Sequence, residues 1–368
     1  MRTTALRGQD QAGKRQEDVR AGLTPEYGTK TLDLSLLHET LKQMQMLNNF
    51  HPPGQAHVEE YPNAHRSISE LALGGKAAVT VGELETVISP ESNRVWQTIT
   101  DLLETGQAKE LSNLDQVTTA KILFRRIGYI GEKYAETFAQ NGARTLGDLL
   151  HSRGKEYGIR LAMEHFNDLE KFIPREETAW IADDIGRALR KADQQFGFEI
   201  MGSYRRGERL SQDIDVVIYH PAYRHLRSAV EGGKDELCHS LMRRVIAALE
   251  SENILHKDKI FSSGPKKVIA LTRCPRAGRE DAPWRQIDIR LCPLDSLPFM
   301  LVGNTGDARL MKLLRWRARS MGLLLNEYGM GRPGRVGNGK DLSKIQPQDK
   351  IHVYSEADIF DQLNLPYL

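Results

Sequence analysis

The apolar residues change period near residue 197, and that change constrains the fold more than any other feature of the chain. Over 176–195 they recur at the spacing of one helix face. From Phe198, in FEIMGSYRRGERLSQDIDVVIYHP, β-branched residues alternate with polar ones as in a half-buried strand. Further strands are predicted over 268–272 and 286–291, with a helix over 235–250 between them. A helix over 310–324, a glycine-rich loop over 329–339, and a final strand and short helix complete this half. Upstream the patterns are helical. Leu37, Leu41, Met44 and Leu47 mark one helix, Pro52, Pro53 and Gly54 force a loop, and helices resume over 67–73 and 93–103. Residues 1–35 show no sustained periodicity and are expected to form a disordered tail. The expected class is multidomain α+β: a helical amino-terminal domain with helix-hairpin-helix motifs, then a mixed β-sheet.

A chain of 368 residues with 40% hydrophobic content can bury several cores. No apolar run approaches a membrane span and the first residues contain no apolar segment, so a soluble intracellular protein is expected. Cys238, Cys274 and Cys292 are odd in number and lack CxxC spacing, which suits reduced thiols and not a zinc site. The net charge of +2 says little about a polyanionic partner, but arginines cluster at Arg205, Arg206 and Arg209 and again at Arg315, Arg317 and Arg319. Such runs suit solvated faces or phosphate contacts.

Asp213 and Asp215 stand two apart on a predicted strand, so both carboxylates point to one side while Ile214 and Val216 point to the other. Two acids so placed also suit a solvated sheet face. The preceding Gly202-Ser203 turn with Arg205 and Arg206, at the start of a helix, offers backbone donors and charge to a triphosphate. Asp288 in the alternating segment QIDIR supplies a third carboxylate that can pair beside the first two. Three such acids suit two magnesium or manganese ions in phosphoryl transfer. Between 122 and 150, RRIGYIGEKYAETFAQNGARTLGDLL joins two helical patterns by a glycine-bounded turn, either an ordinary helical hairpin or a helix-hairpin-helix presenting N–H groups to a DNA phosphate.

GSYRRG with DID, then IDIR, NTG and NEYG, together with the hairpin and IPREE at 173–177, resemble the X-family DNA polymerases from about Leu36 to the carboxyl end. The resemblance implies a 5′-phosphate-binding helical domain (36–112), a helix-hairpin-helix DNA-binding subdomain (113–176), a palm (177–294) and a nucleotide-binding subdomain (295–368). It implies that Asp213, Asp215 and Asp288 bind two divalent ions, with Asp288 helping to deprotonate the primer 3′-hydroxyl. Gly202, Ser203 and Arg206 would hold the β- and γ-phosphates, with Ser211 and Gln212 nearby, although glycine is usual at the latter position. Gly303, Asn304 and Gly306 would line the nucleotide. Arg290 would interact with the acids, and Arg315 with the template strand. The carbonyls of Ile127 and Ile130 would bind a monovalent cation, and Gly131, Arg94 and His65 would contact DNA. The implied function is gap filling on gapped or broken double-stranded DNA bearing a 5′-phosphate, with dNTP and also rNTP as substrates. The implied setting is a nuclear monomer serving end joining or base excision repair, with end-joining factors as partners. Rival readings are a nucleotidyltransferase with an RNA or small-molecule acceptor and a non-catalytic DNA-bridging scaffold; the hairpin argues against the first and the three acids against the second.

Three departures refine the expectation. Thr98 stands at the family's lyase nucleophile position and Arg94 at a neighbouring lysine position, and Ser89-Pro90-Glu91-Ser92 replaces the usual glycines of a first hairpin, so no Schiff-base chemistry is expected. The segment FSSGP at 261–265 is too short to stand in for a template strand. Gly303-Asn304 replaces an aromatic pair that, by the resemblance, sits under the incoming sugar, which predicts weak discrimination against ribonucleotides.

Overall fold

The structure, a computed structural model, describes residues 27–48, 60–73, 75–128, 130–153, 157–225, 235–274, 282–333 and 345–367. The chain divides into two compact units, one of residues up to Arg126 with Ile130–Asp148, the other of residues 127–129 with those from Leu149 onward.

The first unit is helical. Strand β1 (Thr31–Asp33) precedes α1 (Leu34–Asn48) and α2 (Glu60–Ala72); β2 (Ala78–Thr80) then leads into α3 (Val81–Val87), α4 (Asn93–Thr105), α5 (Lys109–Ser112), α6 (Gln116–Arg125) and α7 (Glu132–Gln140). Leu37, Leu41, Met44 and Leu47 of α1 all bury in one core with Ile68, Leu84, Trp96 and Ile99. Two expectations change here. Thr31–Asp33, placed in the disordered tail, pair antiparallel with β2, and Leu32 and Leu34 are buried. The helix expected from residue 67 begins at Glu60, because Pro62 lies in its first turn, where a missing N–H costs no helical bond. The loop expected at Pro52-Pro53-Gly54 and most of the tail lie outside the described residues. Helices α6 and α7 pack together through an edge-to-face contact of Phe124 and Phe138, with ring centroids 6.4 Å apart.

Helix α8 (Leu146–Arg153) crosses the division. The second unit continues with α9 (Tyr157–Glu164), α10 (Phe166–Leu169), β3 (Ile173–Pro174), α11 (Arg175–Ala192), β4 (Gly197–Ile200), α12 (Gly202–Arg205), β5 (Leu210–Ser211), β6 (Ile214–Tyr219) and α13 (Glu236–Ser251). It ends with β7 (Ile260–Ser263), β8 (Lys267–Thr272), β9 (Arg285–Cys292), α14 (Leu297–Thr305), α15 (Ala308–Ser320), β10 (Leu324–Asn326), β11 (Gly329–Pro333), β12 (Ile345–Lys350) and α16 (Glu356–Gln362).

Five strands form one mixed sheet in the order β4-β6-β9-β8-β7. Only the β6–β9 pair is parallel, and the crossover it needs is supplied by α13 with the β7–β8 hairpin. Helices α11 and α13 cover one sheet face, where Ile185, Leu189, Leu241 and Val245 pack on Ile214, Val216, Ile287 and Ile289. Cys238, Cys274 and Cys292 lie buried as core thiols. A separate core gathers Phe299, Leu314, Leu325, Met330 and Phe360 from α14, α15, β10, β11 and α16. Here too the elements shift. Helix α15 stops at Ser320 and Leu324 opens β10; Gly329–Pro333, expected as loop, form β11. The rest of the glycine-rich segment lies outside the described residues. A Cβ at Gly331 would stand 2.2 Å from the Asp349 carbonyl, so glycine is what lets β12 approach β11. Among the described residues no helix is long and apolar enough to cross a membrane.

Candidate active site

The acidic residues lie on the sheet face opposite the helix-covered core. Alternation along β6 turns Ile214, Val216 and Ile218 into that core and leaves Asp215 and Val217 on the far side. Along β9, Ile287, Ile289 and Leu291 turn inward and leave Gln286, Asp288 and Arg290 outward. The parallel register sets Asp215 beside Asp288. Asp213, expected on the strand, sits in the bend one residue before it.

Burial and neighbouring negative charge both act on these carboxylates. Burial, then the charges of Asp215 and Asp288, push the Asp213 carboxyl up to about 7. The Asp215 carboxyl is also raised, by burial and by Asp288, against the opposing pull of Arg290, Lys267 and Arg206. Each Asp288 oxygen has a donor: Lys267 Nζ lies 2.6 Å from Oδ2, and Gln286 Nε2 donates to Oδ1 at 3.1 Å. Arg290 places Nη1 3.8 Å from Glu327 Oε1, and its Nε is buried with no acceptor among the described residues.

Magnesium or manganese fits this donor set, since both prefer hard oxygens and either would relieve the excess negative charge that raises Asp213 and Asp215. Among the described residues, however, no three carboxylate, imidazole or thiol groups stand together as a ready-made cage for an ion. Asp288 is engaged by Lys267 and Gln286 instead.

The turn at Gly202 is fastened to the acids. Met201 N–H donates to the Asp215 carbonyl at 2.8 Å. Gly202 has φ +59°, and a Cβ there would stand 2.7 Å from Asp215 Oδ2. Only glycine combines that backbone with that approach. Ser203 Oγ donates to Ser211 Oγ at 2.7 Å, while Gln212 is exposed. Arg206 donates to the Thr305 carbonyl at 2.6 Å and to Glu208 at 2.8 Å. Sequence reasoning did not find the role of Arg205, which grips both oxygens of Glu356 at 2.8 and 2.6 Å and also the Thr305 hydroxyl. No local pattern signals that pair, because its members are 151 positions apart.

Gly303 lies within α14 and not in a turn; a Cβ would meet Glu327 Cβ at an ordinary 3.7 Å. Asn304 spends an amide hydrogen on the Met300 carbonyl of its own helix at 2.8 Å. Gly306 ends that helix with φ +74°, and Arg315 is exposed on α15.

The DNA and cation contacts expected between residues 65 and 131 are placed differently from one another. His65 is only 3% exposed, and burial lowers its pKa to about 3, with the charges of His38 and Lys42 adding to the effect. A phosphate contact at this position would therefore be made by a neutral, buried ring and not by a cation. Arg94 bonds Asn48 at 2.6 Å and reaches Glu110 at 3.2 Å. Thr98 is buried against the Tyr61 hydroxyl at 3.1 Å. Gly131 forms the N-cap of α7. Ile127 and Ile130 bury their side chains, and the Ile130 carbonyl accepts from Arg125 at 3.2 Å.

The family model for the DNA polymerase beta palm matches residues 172–294, and that for the DNA polymerase beta thumb matches residues 300–368. DNA polymerase lambda of Arabidopsis thaliana is 26% identical over 281 residues, covering 73% of this chain and 50% of that protein. DNA polymerase lambda of Rattus norvegicus is 25% identical over 281 residues, covering 74% and 45%. DNA-directed DNA/RNA polymerase mu of Homo sapiens is 25% identical over 337 residues, covering 82% and 62%. The chain thus spans about half the length of the lambda relatives and less than two thirds of the mu relative. With palm and thumb models that together cover more than half of its 368 residues, and with the acids placed on the palm sheet, the chain belongs to the X family of DNA polymerases.

Proposed function

We propose that the chain is a DNA-directed DNA polymerase that adds nucleotides to a primer 3′-hydroxyl under the direction of a template and fills short gaps during DNA repair. The observation that carries this reading is the parallel register of Asp215 with Asp288, with Asp213 one residue before the strand and the Gly202 turn bonded to it. The lambda and mu relatives support DNA and nucleoside triphosphates as substrates.

Asp213, Asp215 and Asp288 would hold two magnesium or manganese ions, which when bound activate the attacking hydroxyl and neutralise charge on the leaving phosphates. The protein's own part is placement. Asp288 takes the hydroxyl proton, the Gly202 and Ser203 turn receives the β- and γ-phosphates, and Arg206 exchanges its hold on the Thr305 carbonyl for one on phosphate oxygen. Gly303 leaves room beneath the sugar, so ribonucleotides are accepted as well as deoxyribonucleotides. Exposed Arg315 faces the template strand. A 5′-phosphate is held near Arg94, and backbone groups around Ile127, Ile130 and Gly131 meet a DNA phosphate through a monovalent cation.

Thr98 and Arg94 cannot form an imine, so the first unit binds the downstream end without lyase chemistry. The β7–β8 turn, closed by Gly264 N–H on the Lys267 carbonyl at 2.8 Å, is too short to replace a template strand. End joining or base excision repair in the nucleus, by a monomer working with end-joining factors, is the setting this reading implies. Primer extension on a one-nucleotide gap with a 5′-phosphate tests it, compared with an open template, single-stranded DNA and RNA. Fastest extension on the gap, and no borohydride adduct on an incised abasic site, is expected. Robust untemplated addition or preference for an RNA acceptor overturns the reading.

A further inference from the structure

Lys267 stands where the charge balance of the acidic face is decided. On the antiparallel β8–β9 pair it lies opposite Arg290, with Ile269 opposite Asp288, so Lys267 and Asp288 are diagonal neighbours on one face. The Lys267 ammonium approaches Asp288 Oδ2 to 2.6 Å, and the Asp288 side chain is only 10% exposed. Gln286, two residues before Asp288 and on the same face, covers the other oxygen at 3.1 Å. Both acceptor oxygens of one acid are therefore occupied by donors of the protein. No ready-made cage of three acids exists among the described residues.

We propose that Lys267 is a positioning residue that withholds Asp288 from divalent ions: its ammonium takes the place of a metal charge, and Asp288 becomes a ligand only as this ion pair opens. The inference rests on the reading of Asp288 as a metal ligand. Two consequences follow from charge alone. Without an ion, Lys267 offsets repulsion among three clustered carboxylates, so its loss lowers stability. With an ion, it competes for Asp288, so its loss tightens binding. If the closed pair is populated about nine-tenths of the time, opening it permanently raises apparent affinity roughly ten-fold.

Manganese binding to the whole chain, read from the electron paramagnetic resonance of free Mn2+, and melting with and without Mn2+ test the gate without any assay of activity. Lys267→Met, which keeps length and removes charge, is expected to melt lower than the wild type without metal. It is expected to bind Mn2+ about ten-fold more tightly and to recover its melting temperature when Mn2+ is added. Lys267→Arg restores the charge and is expected to behave like the wild type in both measurements. Asp288→Asn is expected to weaken Mn2+ binding in either background. If Asp288→Asn weakens binding while Lys267→Met leaves it unchanged or weakens it, the gate is wrong and the metal reading stands. If Asp288→Asn leaves Mn2+ binding unchanged, both are wrong.

Discussion

In the helical unit polar side chains are paired off against neutral or opposite partners, whereas on the acidic face of the sheet they remain in excess. Tyr61 and Thr98 share a hydrogen bond in the core, Arg94 is held by Asn48 and Glu110, and burial keeps His65 uncharged. Across the sheet, Asp213 and Asp215 stay raised by burial and by neighbouring carboxylates, Asp288 is paired with Lys267, and Arg290 keeps a buried Nε without an acceptor among the described residues. Satisfied polar groups stabilise a fold; unsatisfied ones of a single sign cost stability and persist where a ligand supplies what is missing. Among the described residues, the excess of unsatisfied charge is found on the acidic face of the sheet and not in the helical core.

Gly202→Ala breaks the contrast most sharply. A left-handed backbone costs an alanine about 1–2 kcal/mol, and the added methyl would lie 2.7 Å from Asp215 Oδ2. Displacement of that carboxylate is expected to slow single-turnover insertion on the order of a hundred-fold, since an error near 1 Å at a reacting centre costs that much. A wild-type rate in the Gly202→Ala enzyme would separate the turn from the acids.

Gly303→Tyr sharpens the same side. Its Cβ would meet Glu327 at ordinary contact distance, so the side chain is accommodated at its root. The ratio of dNTP to rNTP insertion is expected to rise at least ten-fold, the scale of about 1.4 kcal/mol of added clash. A wild-type ratio already in the many thousands, unchanged by the substitution, removes the sugar reading.

A third effect, of comparable size, belongs to the helical unit. His65 is neutral when folded, with its pKa near 3 against 6.5 when exposed, so the unfolded chain takes up a proton that the folded chain refuses. Stability is complete above pH 6.5 and falls as pH drops toward 3, by about 2 kcal/mol at pH 5. Urea midpoints at pH 7 and pH 5 check this, and His65→Gln should flatten the difference. An unchanged slope would mean that His65 charges freely and is not confined as the core placement requires.

What could be read from the sequence depended on period and proximity. The shared sheet face of Asp215 and Asp288 was legible because strand alternation fixes it without any knowledge of partners, whereas Asp213 was expected on the strand and lies in the bend before it. The pairing of Lys267 with Asp288 was not legible, since it depends on the register of β8 against β9. The burial of His65 follows from tertiary packing, about which its position in the sequence carries no information. The strand Thr31–Asp33 is too short to show a period and pairs with Ala78–Thr80 far along the chain. The clasp of Arg205 on Glu356 depends on tertiary folding for the same reason.

Insertion opposite a single template base in a one-nucleotide gap with magnesium, measured for the wild type and Asp288→Asn together with DNA affinity, tests most directly whether the acidic face performs templated nucleotidyl transfer. The wild type should add the complementary nucleotide, and Asp288→Asn should bind the gap equally well, because affinity comes mainly from phosphate contacts elsewhere, and add nothing. Extension by Asp288→Asn at close to the wild-type rate would contradict the assignment.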